Sequence, residues 1–557
     1  MIRINKSSTL LLAVCLILSV SMMLTGCGTG TGTDGADHGL SLDGADFGIT
    51  VGGQNVSEDS VFISNDIIYY EDMTAYPSGN PYGEGAAHER HSADEAAAHT
   101  VVNITQPGTY RISGSMEKGQ IRVDLGEDAF ENPEAVVTLI LDGLDINCDV
   151  APAILFLNVY ECDNQWSVET ASSNVDTAAT GANLIIADGS VNNIDGGHVA
   201  KIFKDNNDEK KLWKQDGAIY SYMSMNVSGE TAGDGVLNLT ADNEGLDTEL
   251  HLTVNGGNIN IFADNDGINT NEDGVSVTTI NDGNVHIMAG LGAEGDGIDS
   301  NGWLVINGGT VISSANPGAD AGLDSDMGSF VNGGTVVALG STMDWAESES
   351  EQITMNLQFA DYKDSGSVIE VRSAADDSVI FSFDPASDSV LSGNARKFSG
   401  AVISCPAFTL DAAYHVYVGG IQQSFTGTDV FRFPGGMNFG GGFEGGQKPG
   451  DFNPGQMPDN FNGQMAEGFD PSQMPQGGFG GGQMPGGFSG QMPEGFDPSQ
   501  MPEGFTPGQM PEGMQMPNMT FDPSQMQGGT ITETGEPQTE FYMQDKVNAF
   551  SGVADAK

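Results

Sequence analysis

The chain has 557 residues, enough for several domains or for one extended repeat with tails, and its 38% hydrophobic content excludes disorder throughout. It carries 77 Asp and Glu against 19 Lys and Arg, a formal net charge of −58. That sign excludes nucleic acid as a partner, because a phosphate backbone must be met by basic side chains, and it favours cations or ligands approached through cations.

At the start, Arg3 and Lys6 precede an apolar stretch from Thr9 to Leu24, followed by Thr25-Gly26-Cys27. This order reads as a lipoprotein signal over residues 1–26, whose removal leaves a lipidated Cys27, with an ordinary secretory signal as the alternative. The apolar core is shorter than the roughly 20 residues that cross hydrocarbon. The expected location is therefore the cell surface, outside the cytoplasmic membrane, with membrane contact through lipid only. Residues 27–100 read as a linker and leading segment: a Gly/Thr/Asp/Ala spacer to Asp46, one apolar run from Val61 to Tyr70, and a loop carrying His88, His91 and His99. The histidine spacing matches no metal template, so these side chains are expected to be solvated. Of the later cysteines, Cys148, Cys162 and Cys405, none forms a CxxC pair, which gives zinc little support. Cys148 and Cys162 are either bridged or two free thiols.

From Val101 short β-prone runs alternate with Gly turns: 101–104, 110–113, 120–123, 136–141, 154–159 and 184–187. A Lys-rich loop over 201–214 interrupts them. Then Asn-Gly-Gly or Asn-Asp-Gly triplets recur at Asn255, Asn281, Asn307 and Asn332, at intervals of 26, 26 and 25 residues. A fixed period of that length means stacked coils. Counting back one and three residues from each Asn gives Val254 and Leu252, Ile280 and Thr278, Ile306 and Leu304, Val331 and Ser329. Counting forward four and six gives Ile259 and Ile261, Val285 and Ile287, Val311 and Ser313, Val336 and Ala338. Strand alternation puts each set on one face, and stacking at about 4.8 Å joins them into a core. The expected fold is all-β, a right-handed single-stranded parallel β-helix over 101–351. The Asn is expected to tolerate the left-handed backbone conformation at the corner, with its amide bonded along the stack and the Gly that follows removing the steric penalty of the turn.

Residues 352–433 read as last coils or a β cap, which a solenoid needs over its open end. Residues 434–557 form a Gly/Pro/Met/Gln-rich tail with units such as Gln491-Met492-Pro493-Glu494-Gly495-Phe496, expected to be disordered to near its end.

A second column follows each coil: Asp242, Glu244 and Asp247; Asp264, Asp266 and Asn269; Asp296 and Asp299; Asp324 and Asp326. Stacked carboxylates repel by about a kcal/mol per pair even at high dielectric. Calcium, which takes oxygen ligands in flexible geometry, would offset this, so these residues are the candidate metal ligands. A solvated acidic edge is the bland alternative. Between Lys214 and Lys363 there is no Lys or Arg, so the regular coils offer no basic residue for proton abstraction, and binding is the simpler reading than catalysis. Sugar faces stack on exposed aromatics. Trp303 points outward in the same column as His251, and Trp213 with Tyr220 forms a second candidate cluster; Trp345 is weaker.

Gln106-Pro107-Gly108-Thr109-Tyr110-Arg111-Ile112-Ser113-Gly114, Asn183-Leu184-Ile185-Ile186-Ala187-Asp188-Gly189, Asp216-Gly217-Ala218-Ile219-Tyr220-Ser221, and the corners Asp266-Gly267-Ile268-Asn269 and Asp296-Gly297-Ile298-Asp299 resemble the calcium-containing parallel β-helix carbohydrate-binding proteins of cellulolytic clostridia and their relatives. The resemblance spans about 101–420. It implies non-catalytic binding of cellulose-like and acidic, pectin-like polysaccharide, with calcium along the helix, and it assigns that calcium to Asp264, Asp266, Asn269, Asp296 and Asp299. The competing expectations are a calcium-dependent polysaccharide lyase and a structural or adhesive surface protein. The protein is expected to act as a monomer.

Overall fold

The turn at each Asn triplet sets the period of the fold. In the computed structural model, which describes residues 47–51, 54–55, 60–70, 88–200, 202–203, 211–212, 214–341, 346–428 and 532–557, the triplet joins two short strands that pair, in parallel, with their counterparts one coil away. Leu252–Val254, Val277–Ile280, Trp303–Ile306 and Gly328–Val331 form a first ladder. After the triplet, Asn258–Ala263, Asn284–Met288, Thr310–Ser314 and Thr335–Gly340 form a second. After the acidic corner, Gly217–Ser221, Glu244–Thr248, Ile268–Thr270 and Ile298–Ser300 form a third. The protein is nearly all β, built on parallel ladders.

The register puts the counted residues opposite one another, Ile259 with Val285, Val285 with Val311, and Val311 with Val336. All of the apolar positions counted from the triplets are buried, and the third ladder adds Leu246, Ile268 and Ile298, each at 0% exposure. Burying side chains of this size contributes about 1.5–3 kcal/mol each, which makes these columns the main source of stability.

The corner itself differs from expectation. The left-handed residue is the third of each triplet, Gly257, Gly283, Gly309 or Gly334, with φ of 96°, 100°, 74° and 81°, and not the Asn. Only a residue without Cβ takes that conformation freely, which is why Asp282 is tolerated in second place while the third place is always Gly. The Asn side chains do bond along the stack: Asn281 Nδ2 donates to Asn255 Oδ1 at 2.9 Å, Asn307 to Asn281 at 2.9 Å, and Asn332 to Asn307 at 3.0 Å.

Both ends of the stack meet antiparallel strands. Phe47–Val51 lies antiparallel on Gly108–Met116, and Val61–Ser64 on Thr100–Ile104. At the other end Phe398–Ser404 pairs antiparallel with Thr335–Gly340 and with Thr354–Lys363. The last strand, Val547–Asp555, pairs with Thr354–Lys363 and with Ile421–Thr428. Residues 532–557 thus return into this C-terminal unit after the low-complexity stretch. Its own core centres on Phe425, Phe541 and Phe550, whose ring centroids lie 4.8–4.9 Å apart. Such strands occupy the backbone edges that an open stack would expose.

Cys148, Cys162 and Cys405 are free thiols, so Cys148 and Cys162 are not bridged. His99 is not solvated as expected: it is 1% exposed, with Nε2 at 2.6 Å from Asp149 Oδ1. No helix among the described residues is long and apolar enough to cross a membrane. Residues 1–26, Cys27, Trp213, Trp345 and most of the 434–557 tail lie outside the described residues.

Candidate functional site

The corner between the second and third ladders is built from close backbone approach. Gly267 N–H donates to Asp296 O at 3.0 Å and Ile268 N–H to Gly297 O at 3.2 Å. A Cβ on Gly267 would lie 2.6 Å from Gly297 O, and one on Gly297 2.5 Å from Gly322 O. Coils pressed this tightly carry their acids in two rows on either side of the core row of Leu246, Ile268 and Ile298. Glu244, Asp266 and Asp296 precede the core residue by two. In the other row Asp247 faces Asn269, and Asn269 faces Asp299. Asp324 extends that row by a coil, its N–H on Ile298 O and its carbonyl on Ser300 N–H.

Part of this acidity is structural. Asp266 Oδ1 accepts the Asp296 N–H at 2.6 Å, Asp296 Oδ1 accepts the Ala321 N–H at 2.5 Å, and Asp247 Oδ1 accepts from Asn271 Nδ2 at 2.6 Å. These bonds join successive coils. Other oxygens have no donor: Glu244 Oε2, Asp247 Oδ2 and Asn269 Oδ1 are buried without a hydrogen-bond partner. The residues are 3%, 0% and 5% exposed. Leaving a buried acceptor unsatisfied costs about 1–3 kcal/mol, and more when it is charged.

Electrostatics point the same way. Burial, then Asp247 and Asp216, raise the Glu244 carboxyl well above its ordinary range. Burial, then Asp216 and Glu249, do the same to Asp247. Asp266 is raised to about 6, mainly by burial, and Asp296 to about 9 by burial and Asp324. Ionised acids held this close lack compensating charge. A basic group that reaches them is Lys214, half-exposed, whose Nζ pairs with the buried Asp216 carboxylate. The Lys-rich loop 201–214 was the one source of a basic group that the sequence left open, whereas Asp216 was not among the predicted ligands, although the Asp216-Gly217 pair repeats the pattern of Asp266-Gly267 two coils earlier.

The remaining predicted ligands lie apart. Asp264 and Asp326 are exposed at the edge. Asp242 is engaged by His198: Nδ1 is 2.9 Å from Asp242 Oδ1, while Nε2 is 3.2 Å from Glu89 Oε1. Among the described residues no three His, Cys, Asp or Glu side chains converge into a ready-made metal group. An ion in this corner would therefore be held between coils, by the unpartnered side-chain oxygens together with main-chain carbonyls.

His198 carries its own prediction. Although burial disfavours its charge, Asp242, Glu89 and Asp216 raise its pKa to about 9. Because the folded value lies above the ordinary 6.5, the clamp is fully present below about pH 6.5 and is lost as pH rises through 9. The clamp contributes on the order of 2 kcal/mol after allowance for the half-exposed Asp242. In thermal melts His198→Gln should lower stability at pH 6 and leave it nearly unchanged at pH 10; equal losses at both would refute this.

The aromatic candidates separate by burial. Trp303 is half-buried on the outward side of the first ladder, since Leu304 and Ile306 beside it are fully buried. His251 is 1% exposed, with Nε2 at 3.2 Å from Asp163 Oδ2. Tyr220 is 0% exposed and donates its hydroxyl to Glu249 Oε1 at 2.6 Å. Neither of these two rings offers a face to a sugar. Phe330 was missed: it sits opposite Val305 in the first ladder, half-buried and outward, between buried Ser329 and Val331. The signal was available, because Phe330 lies two residues before Asn332 and so has outward parity.

The sequence profile of the carbohydrate-binding domain-containing protein family matches residues 98–380. The solved structure of a polysaccharide lyase-like protein from C. thermocellum, a gadolinium derivative, is similar over 42% of this chain and 83% of that one, with 25% identity and a TM-score of 0.28. No curated protein matches the chain.

Proposed function

The chain belongs to the carbohydrate-binding domain-containing protein family, and from that premise we propose that it binds plant-cell-wall polysaccharide, cellulose-like or pectin-like, at the cell surface without cleaving it. The observation that carries this reading is the extent of the family match, which takes in all three parallel ladders. The stacked coils read as a right-handed single-stranded parallel β-helix. Calcium stabilises the stack by neutralising the acid rows, with Glu244, Asp247, Asp266, Asn269, Asp296 and Asp299 as ligands. The support is chemical: unpartnered, buried oxygens of hard-donor type in one corner suit a cation that takes six to eight oxygens with flexible geometry. Lipid on Cys27 tethers the protein, which acts as a monomer.

A calcium-dependent lyase is the second reading, and Lys214 is the observation that favours it, because it brings a basic side chain to the acid rows. Its neighbours work against that role. Asp216 and Glu244 raise the Lys214 pKa, holding the amine protonated, whereas a general base must be free to accept a proton.

Mixing the protein with insoluble cellulose and with polygalacturonate, and following both depletion and unsaturated product, separates the readings. Depletion without product is the expected result. Product that disappears in Lys214→Met would establish the lyase, and no depletion by any glycan would leave a structural or adhesive role.

A further inference from the structure

The outer face of the first ladder carries a groove of about 780 Å³ that runs across successive coils, walled by residues 173–178 on one side and approached by Glu349 and Glu351. Its floor includes Thr279, Val305 and Phe330, and its rim is the Asn column of 255, 281, 307 and 332. We propose that this groove is the glycan-binding site, that the chain lies along the stacking direction with one sugar per coil, and that the ligand class is an extended, uncharged pyranose polysaccharide. The proposal rests on the glycan-binding reading and adds to it the place and the charge of the ligand.

Three observations support it. The first is periodicity. Each rim Asn between the ends gives one N–H to the preceding Asn and accepts one from the next. An amide has two N–H donors and two lone pairs on its oxygen, so each rung keeps one donor and one lone pair for a ligand. These spare groups repeat every ~4.8 Å, the spacing between paired strands. An extended β-linked pyranose chain advances by nearly the same step per residue and presents hydroxyls that both donate and accept.

The second is an aromatic face. Phe330, outward and half-buried, is on the floor of the groove beside Val305, while Trp303 stands two positions before Val305 and outside the lining. Rings held in this way offer flat apolar faces for the C–H side of a pyranose, at little entropic cost. The third is charge. The titratable side chains lining the groove are Asp176, Glu349 and Glu351, and no Lys or Arg is among its lining residues. A polyuronate would meet like charge, whereas a neutral glycan is not penalised.

The test uses the full chain. Phe330→Ala is expected to lose at least tenfold in affinity for insoluble cellulose while keeping its melting temperature within a few degrees. Phe330→Trp, which keeps a ring at the site, should retain binding and should change in tryptophan fluorescence on titration with a soluble cello-oligosaccharide. If the parent binds cellulose and Phe330→Ala binds it equally well, the groove assignment is overturned while the glycan-binding reading stands. If the parent binds no glycan, both fail. Binding of polygalacturonate that is lost in Phe330→Ala would overturn the assignment of an uncharged ligand.

Discussion

Gly267→Ala is expected to lower the melting temperature by about 5–10 °C. A methyl group at this position would sit 2.6 Å from Gly297 O and 2.2 Å from the Ile287 Cγ2 atom. Neither is the free end of a flexible side chain: one is main chain of the next coil and the other is locked in the core. Relief requires the coils to separate, which loosens the Gly267-to-Asp296 and Ile268-to-Gly297 hydrogen bonds. Overpacking costs about 1–3 kcal/mol and a weakened bond about 1 kcal/mol more. At about 2–4 °C per kcal/mol for a domain of this size, the shift follows. Gly393→Ala is the informative control. Gly393 has φ of 78° with nothing within 4 Å of an added Cβ, so only the left-handed conformation is penalised, by about 1–2 kcal/mol. Equal shifts for the two variants would show that close approach at the corner is not what Gly267 provides.

Chelation of divalent cations should lower the melting temperature by a similar amount, about 5–10 °C, and added calcium should restore it. An ion present at a hundred times its Kd stabilises by about 2.7 kcal/mol per site. Asp247→Asn sharpens the test because its effect changes sign with the ion. Asp247 is buried, its Oδ1 already accepts from Asn271, and its charge faces Asp216 and Glu249. An amide keeps the acceptor and removes the repulsion. In chelator the variant should therefore melt higher than the parent, and in calcium the increment should shrink or vanish. A parent that melts identically with and without chelator would remove calcium from the corner. A variant destabilised equally under both conditions would make Asp247 a purely structural acceptor.

The stack was legible from the chain because three signals coincided: the fixed interval between triplets, strand alternation around each, and Gly in the third place. The residue in the left-handed conformation was not, since Asn and Gly both visit that region and periodicity does not rank them. Asp282 in the second place held the clue. The acid rows were legible as a column, but their depth was not. Burial of Glu244 and Asp247 depends on how closely neighbouring coils and the Lys214–Asp216 pair approach, and that is a property of the assembled stack. The same limit applies to His251 and Tyr220. Their parity marked them as candidates, but Asp163 and Glu249 engage them from segments 88 and 29 residues away in sequence. Phe330 needed no long-range knowledge at all, only the parity rule already applied to Trp303.

The strand Val547–Asp555 lies between Thr354–Lys363 and Ile421–Thr428, so a segment from beyond the low-complexity stretch is interior to the unit that closes the stack. A chain that stops before Val547 would present two unsatisfied strand edges and an empty place for Phe550 in an otherwise finished cap. The ladders need only neighbours one coil away, whereas closing the stack needs a pairing of far greater sequence separation. Ladder growth and edge protection are thereby separate steps, and a copy that has completed only the first keeps an adhesive end that proteases and edge-pairing partners can reach.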